Sequence, residues 1–276
     1  MGWRQVVVVL AAILAAPSLA AGETPGQRGA YLVNGIGSCG NCHAPARTGD
    51  GPLSGGPPMS TPAFVAYAPN ITPDPDTGIG TWTAAEIVTA LREGRRPDGT
   101  ILRPPMPVPF YRAMSDDDAN AIAAYLRSIP AVANRTPPSQ YVRPMPASYG
   151  PPLGHVVAPP TTDVLAYGGY LASLGHCLLC HTPLTAAGRP DTAREGAGGR
   201  KLGGSTARNI TPDAATGVGA WTDEQILAAL TKGVRPDGAL LAPTMPFSYL
   251  RMMTRSDLDA LIVWMRALKP VVNAVE

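Results

Sequence analysis

The 276-residue chain contains one five-residue motif twice, and the two copies use all four of its cysteines. Cys-Gly-Asn-Cys-His at 39–43 returns as Cys-Leu-Leu-Cys-His at 177–181. Cys-x-x-Cys-His is the attachment sequence of c-type haem, in which both thiols bond to the porphyrin and the histidine binds the iron. The pattern predicts two covalently attached haem c groups. The predicted attachment residues are Cys39, Cys42, Cys177 and Cys180, with His43 and His181 as the proximal ligands.

Two other uses of paired cysteines fit this pattern less well. A structural zinc site usually brings two Cys-x-x-Cys pairs together in one small module, whereas Cys39 and Cys177 are 138 residues apart. A thioredoxin-like dithiol requires a surrounding βαβ pattern, and neither copy has one. Zinc binding and structural disulfides are the alternatives to haem.

The first 20 residues have the features of a secretory signal peptide. Arg4 precedes an apolar stretch at 6–16, and the small residues at 18–20 fit cleavage before Ala21. The apolar stretch is short for a membrane span, which needs about 20 residues. The sequence therefore predicts export to the periplasm, where c-type haem is attached. The formal net charge of +2 argues against nucleic acid as a partner.

The two motifs lie in two copies of a longer repeat. The blocks Asn-Ile-Thr-Pro-Asp, Thr-Gly-x-Gly-x-Trp-Thr, Arg-Pro-Asp-Gly and Met-Pro follow each motif in the same order. Each copy is long enough to be a domain rather than one turn of a solenoid. The predicted organisation is a signal peptide at 1–20, a first domain at 21–133, a Pro-rich linker at 134–160 and a second domain at 161–276.

Start and stop signals predict the same helices in both copies. A capping box begins a middle helix, a glycine ends it, and the last helix has apolar residues at i, i+3, i+4 and i+7. Shorter helices are expected over 28–33 and 168–173. No segment alternates like a strand, so the predicted fold class is all-α with long loops. The helix signals are Thr83, Gly94 and Ser115 in the first copy and Thr222, Gly233 and Thr254 in the second.

The second axial ligand of each iron is predicted to be a methionine. Besides the motif histidines the chain has only His155, in the linker, and His176, which adjoins the second motif. Met106 and Met245 lie in proline-flanked loops that cannot form a helix. A His/Met pair is typical of cytochromes c and raises the reduction potential. Packing in the core is the alternative role of a methionine, and the others considered are Met59, Met114, Met145, Met253 and Met265.

Two asparagines and two tryptophans are secondary candidates for haem contacts. Asn70, Trp82, Asn209 and Trp221 lie in the repeated blocks, and their side chains carry N–H donors of the kind that hold a haem propionate. A turn-forming asparagine and a core tryptophan explain the same residues equally well.

These blocks resemble the multihaem cytochrome c subunits of bacterial periplasmic dehydrogenases for alcohols, gluconate and related sugars, and of some molybdenum hydroxylases. The resemblance implies two tandem class I cytochrome c domains. It implies that His43 and Met106 hold one iron, and that His181 and Met245 hold the other. It also implies electron relay from a catalytic subunit to ubiquinone or a terminal oxidase. Members of that family commonly carry three haem domains, and this chain has two motifs.

The leading hypothesis is an electron carrier without catalytic residues of its own. Its expected donor is a dehydrogenase catalytic subunit, and its expected acceptor is a terminal oxidase, a quinone or another cytochrome. Peripheral membrane association is compatible with this role. The alternatives are a dihaem enzyme of the peroxidase or thiosulfate dehydrogenase type and a free-standing periplasmic shuttle. The near-identical Met-Pro loops argue against the enzyme, which needs one reactive haem.

Overall fold

The computed structural model describes residues 22–46, 51–142, 147–202 and 204–275. The expected signal peptide at 1–20 and Met145 lie outside these ranges. In the described part the chain folds into ten α-helices and five short strands. The expected helices are present, and the fold is mainly helical as predicted, with a few short strands that the sequence did not indicate. Each strand has only two or three residues, which is too short to show an alternating pattern.

The first half of the chain follows the helix signals of the sequence. Its middle helix begins at the Thr83 capping box and ends at Gly94, whose φ of 69° is left-handed. Its first helix starts earlier than predicted, because Thr24 forms a further capping box with Gln27. The helices are α1 (Pro25–Asn34), α2 (Gly40–His43), α3 (Ala84–Glu93), α4 (Val108–Tyr111) and α5 (Asp116–Ser128).

The second half contains the same helices in the same order. The capping box at Thr222 and the left-handed Gly233 bound its middle helix as predicted. A short 3-10 helix at Thr192–Arg194 has no counterpart in the described first half. The α-helices are α6 (Val164–Leu174), α7 (Cys177–His181), α8 (Asp223–Lys232), α9 (Phe247–Leu250) and α10 (Arg255–Ala267).

The first and last helices of each half cross at a glycine. A Cβ built on Gly29 of α1 would lie 2.0 Å from the carbonyl oxygen of Ala121 in α5. A Cβ on Gly168 of α6 would lie 2.0 Å from the carbonyl oxygen of Ala260 in α10. Only glycine permits such a close approach of two backbones. The two crossings therefore have the same construction.

The Pro-rich linker packs on the first half instead of standing apart from it. It supplies the third strand of an antiparallel sheet, and its His155 and Val156 hydrogen-bond Asp116 at the start of α5. His155, expected to be a solvated linker residue, is 75% exposed but has this partner through Nδ1. The strands are β1 (Met59–Thr61), β2 (Phe64–Ala66) and β3 (Gln140–Tyr141), with a separate hairpin of β4 (Lys201–Leu202) and β5 (Ser205–Thr206).

The two halves share one hydrophobic core, and a tyrosine of each half forms hydrogen bonds at a helix N-terminus of the other. Tyr31 of α1 donates to Asp257 of α10 at 2.6 Å, and Tyr170 of α6 donates to Asp118 of α5 at 2.5 Å. The backbone N–H of the N-cap residue Thr254 donates to the Tyr31 hydroxyl at 3.0 Å, and that of the N-cap residue Ser115 donates to the Tyr170 hydroxyl at 3.2 Å. Each tyrosine thus completes the cap of a helix in the other half. No helix in the described ranges is long and apolar enough to cross a bilayer.

Candidate haem-binding sites

Each Cys-x-x-Cys-His motif forms a short helix that follows a left-handed residue. Ser38 precedes the first motif and His176 the second, and both have a φ of 42°. One helical turn places cysteines at i and i+3, and the histidine at i+4, on the same face. None of the four cysteines forms a disulfide. This arrangement presents two thiols and an imidazole to one side, as attachment of a porphyrin requires.

The two motif histidines have the same hydrogen-bond geometry. Nδ1 of His43 lies 2.8 Å from the carbonyl oxygen of Pro69, and Nδ1 of His181 lies 2.7 Å from that of Arg208. An imidazole that donates from Nδ1 presents the lone pair of Nε2 to a metal. Burial lowers the pKa of both imidazoles. Both rings are therefore held neutral, which is the form that binds iron.

The first cysteine of each motif carries a partly buried thiol. Burial, and then the neighbouring cysteine, raises the pKa of Cys39 and of Cys177 to about 12. Zinc and nucleophilic chemistry both use the thiolate, which such surroundings disfavour. Within the described ranges no group of three or more His, Cys, Asp or Glu side chains is arranged to hold a metal ion. The donor set at each motif therefore suits covalent haem.

The two motifs lie near each other at the contact between the halves. Burial raises the pKa of Cys180, with Arg200 acting against the shift and Cys42 adding to it. The ring of Tyr111 meets that of His176 edge to face, with centroids 6.3 Å apart. Burial lowers the pKa of His176 to about 4. His176 is therefore a neutral packing residue between the halves.

Met106 and Met245 lie in corresponding loops and pack, partly buried, against the core. Each backbone N–H closes a turn within its loop, at 3.2 and 3.0 Å. Met114 and Met253 are buried in the core itself, with 2% and 6% exposure. Those two residues therefore have a packing role. The expected binding of iron by Met106 and Met245 stays a prediction.

The asparagines form hydrogen bonds within the protein, and the expected contact with a haem propionate stays a prediction. Nδ2 of Asn70 donates to Thr77 at 3.1 Å and to the carbonyl oxygen of Val132 at 2.7 Å. Asn209 makes the corresponding bonds in the second half, at 3.0 and 2.8 Å. An amide group has two N–H donors, and these bonds use both. The two asparagines thus tie the repeated loop to the segment that follows the last helix of each half.

Trp82 and Trp221 are partly buried and pack against the core. Their position is that of a core tryptophan, and the expected propionate contact stays a prediction. Sequence reasoning missed the tyrosines that join the halves. Tyr31 and Tyr170 stand 139 residues apart, the same offset that relates Asn70 to Asn209, and this spacing was the available signal.

Comparison with known proteins agrees with this geometry. The cytochrome c family model matches residues 27–130. The chain is 33% identical over 271 residues to the cytochrome c subunit of an alcohol dehydrogenase (quinone) from Gluconacetobacter polyoxogenes, covering 89% of this chain and 56% of that subunit. It is 35% identical over 228 residues to the gluconate 2-dehydrogenase cytochrome c subunit of Pantoea cypripedii, covering 75% of this chain and 51% of the subunit. The chain thus spans about half the length of these subunits.

A third relative is closer in length. The chain is 32% identical over 236 residues to a diheme cytochrome c-type protein of Cereibacter sphaeroides, covering 80% of this chain and 78% of that protein. Both the helical fold and the attachment motifs agree with these relationships. The chain therefore belongs to the cytochrome c family: it is an electron-transfer protein with covalently bound haem c, related to a dihaem cytochrome and to the cytochrome subunits of dehydrogenases.

Proposed function

We propose that the chain binds one haem c at each motif and passes single electrons between them in the periplasm. The observation that carries this proposal is the pairing of the motifs: each has a neutral histidine oriented through Nδ1, and the two meet across one core. The haem iron, when bound, supplies a reversible one-electron change. In this proposal 21–133 and 161–276 are two cytochrome c domains, 134–160 is the linker and 1–20 is the export signal.

The proposed axial pairs are His43 with Met106 and His181 with Met245. The matching hydrogen bonds of the two histidines and of the two methionine loops support equivalent sites. With both axial positions filled by side chains, neither site offers a substrate a position unless its methionine first leaves the iron. This symmetry supports a carrier rather than a peroxidase or a thiosulfate dehydrogenase.

A dehydrogenase catalytic subunit is the proposed electron donor. Two of the relatives carry the names of cytochrome c subunits of alcohol and gluconate dehydrogenases. The proposed acceptor is a quinone, a terminal oxidase or another cytochrome. A free-standing dihaem shuttle is the second candidate, favoured by the Cereibacter relative, because the chain spans most of that protein. Co-purification from native membranes and periplasm, with or without a dehydrogenase, separates the two.

Intact-mass analysis of the periplasmic protein tests the central claim. We expect a chain that begins near Ala21 and carries two haem additions. The double variant Cys177→Ala/Cys180→Ala is the matched control and should retain one. A wild-type protein with a single haem, or haem that acidic solvent extracts, would contradict the proposal. High turnover of peroxide or thiosulfate by the isolated low-spin protein would contradict the carrier role.

A further inference from the structure

The two loops that carry the candidate methionines have the same internal hydrogen bonds. In the first half the N–H of Leu102 donates to Gly94 at 2.6 Å, and that of Met106 donates to Arg103 at 3.2 Å. In the second half the corresponding bonds measure 2.7 and 3.0 Å. A difference in how firmly the loops hold a ligand must therefore come from their surroundings.

The Pro-rich linker binds the first loop through two tyrosine hydroxyls. Tyr141 donates to the carbonyl oxygen of Pro104, and Tyr149 to that of Leu102, each at 2.9 Å. The guanidinium of Arg103 lies over the Tyr141 ring, 5.0 Å from its centroid. The linker thus contacts three consecutive residues just before the methionine.

The rest of the first half holds both tyrosines in place. Tyr141 belongs to β3, which pairs with β2, and its ring lies 5.8 Å from that of Phe64. Tyr149 packs over Gly94, where a Cβ would lie 2.7 Å from the ring. Gly94 ends α3 and precedes the methionine loop. The hydroxyls are therefore fixed in position relative to the loop that they bind.

In the described ranges, no tyrosine hydroxyl binds the loop of Met245 as Tyr141 and Tyr149 bind the first loop. Among the described residues, its hydrogen bond from outside the loop is the one between the hydroxyls of Ser205 and Thr244, at 3.2 Å. The β4–β5 hairpin has no third strand in the described ranges. The ring over Gly233 belongs to Phe247, which has no hydroxyl to donate. The second loop is thus held by fewer contacts than the first.

We propose that Tyr141 and Tyr149 are positioning residues that make Met106 the firmly held iron ligand and leave Met245 the exchangeable one. The inference rests on the proposed function, because it requires both methionines to bind iron. A thioether is a weak ligand, so its retention depends on how readily its loop moves away. Opening the first loop breaks two tyrosine hydrogen bonds, each worth a factor of about three in the equilibrium. The second site is therefore the one that admits an external ligand.

Imidazole titration of the oxidised holoprotein tests the inference. Met245→Ala leaves Met106 as the methionine ligand, and Met106→Ala leaves Met245, so the sulfur-to-iron charge-transfer band reports one site in each variant. We expect half-loss of the band to require about tenfold more imidazole at Met106 than at Met245. Adding Tyr141→Phe and Tyr149→Phe to the Met245→Ala variant should remove most of this difference.

The same tyrosine substitutions in the Met106→Ala variant are the matched control. They should leave unchanged the imidazole concentration at which half of the Met245 band is lost, because the tyrosine hydroxyls bond the loop of Met106. Equal midpoints at the two methionines would overturn the inference, and so would a Met106 midpoint that the tyrosine substitutions do not move. Either result leaves methionine ligation intact. A full band in both Met→Ala variants would instead overturn the ligation, and the inference with it.

If the double tyrosine variant does not fold, each single Tyr→Phe variant replaces it. Phenylalanine keeps the ring packing and removes only the hydroxyl. Each single change is expected to lower the Met106 midpoint by about threefold. No change in either single variant would overturn the role of that tyrosine.

Discussion

His176, which directly precedes the second motif, is expected to make the protein sensitive to acid. Burial lowers its pKa from 6.5 to about 4. Between these two values the unfolded chain binds more protons than the folded protein, so stability falls as the pH falls. The contribution of neutral His176 is complete above about pH 6.5 and is lost toward about pH 4, a total of about 3 kcal/mol.

The variant His176→Ser tests this contribution. Ser38 is the corresponding residue of the first half and has the same φ of 42°, so serine suits this left-handed backbone. Between about pH 7 and about pH 4.5 the urea midpoint of the variant should fall less than that of the wild type. Parallel curves would show that other groups, such as His43 and His181, account for the acid sensitivity.

At the residue scale, the sequence is most informative where the chemistry is local. The arrangement of Cys39 and His43 follows from one helical turn and is readable from five letters. The partners of Asn70 and Asn209 are not, because the carbonyl oxygens of Val132 and Val271 lie 62 residues further along the chain. The acceptor of each amide N–H is therefore determined by the tertiary fold and not by the neighbouring sequence.

At the scale of elements, Gly29 controls the crossing of α1 and α5. A Cβ at Gly29 would lie 2.0 Å from a backbone oxygen, so Gly29→Ala must force the helices apart. We expect a loss of about 2–3 kcal/mol in the free energy of unfolding, measured with urea. Gly26→Ala in the same helix is the control, because a Cβ there meets no described atom within 4 Å. It should be neutral or stabilising by up to about 1 kcal/mol. Equal losses in both variants would contradict the close approach.

Helix ends are predictable where a nearby side chain satisfies the backbone. The capping boxes at Thr83 and Thr222 mark the starts of α3 and α8 in both sequence and structure. The strands are not predictable in this way. Phe64 pairs with Tyr141, and nothing local to either residue specifies a partner so far along the chain. The sheet forms because the linker folds back, which is a tertiary event.

At the scale of the whole molecule, the repeat contains the tyrosines and aspartates that join the halves, but it does not specify which aspartate each tyrosine bonds. Tyr31 and Tyr170 occupy corresponding positions, and so do Asp118 and Asp257. A tyrosine and an aspartate of the same half would satisfy the sequence equally well. In the structure each tyrosine hydrogen-bonds the aspartate of the other half. Arg28 donates to Asp118, which lies in its own half.

This arrangement predicts unequal effects for the two tyrosines. Tyr31→Phe removes the side-chain donor of Asp257, which is 8% exposed and forms no ion pair among the described residues. After Tyr170→Phe, Asp118 keeps two bonds from Arg28, at 2.7 and 3.0 Å. A buried carboxylate that loses its donor costs about 1–3 kcal/mol, whereas one that keeps a guanidinium costs about 1 kcal/mol or less. Tyr31→Phe is therefore expected to destabilise the holoprotein more.

Urea unfolding of the two variants, with and without Arg28→Gln, forms a double-mutant cycle that measures this difference. In the Arg28→Gln background Asp118 loses its guanidinium, so the cost of Tyr170→Phe should rise to that of Tyr31→Phe. The cost of Tyr31→Phe should stay nearly the same, because Arg28 bonds Asp118 and not Asp257. The guanidinium of Arg28 also lies over the Tyr31 ring, 5.6 Å from its centroid, and phenylalanine keeps that ring. Equal costs in the wild-type background, or a cost of Tyr170→Phe that does not depend on Arg28, would contradict the role of Arg28 as the remaining donor to Asp118.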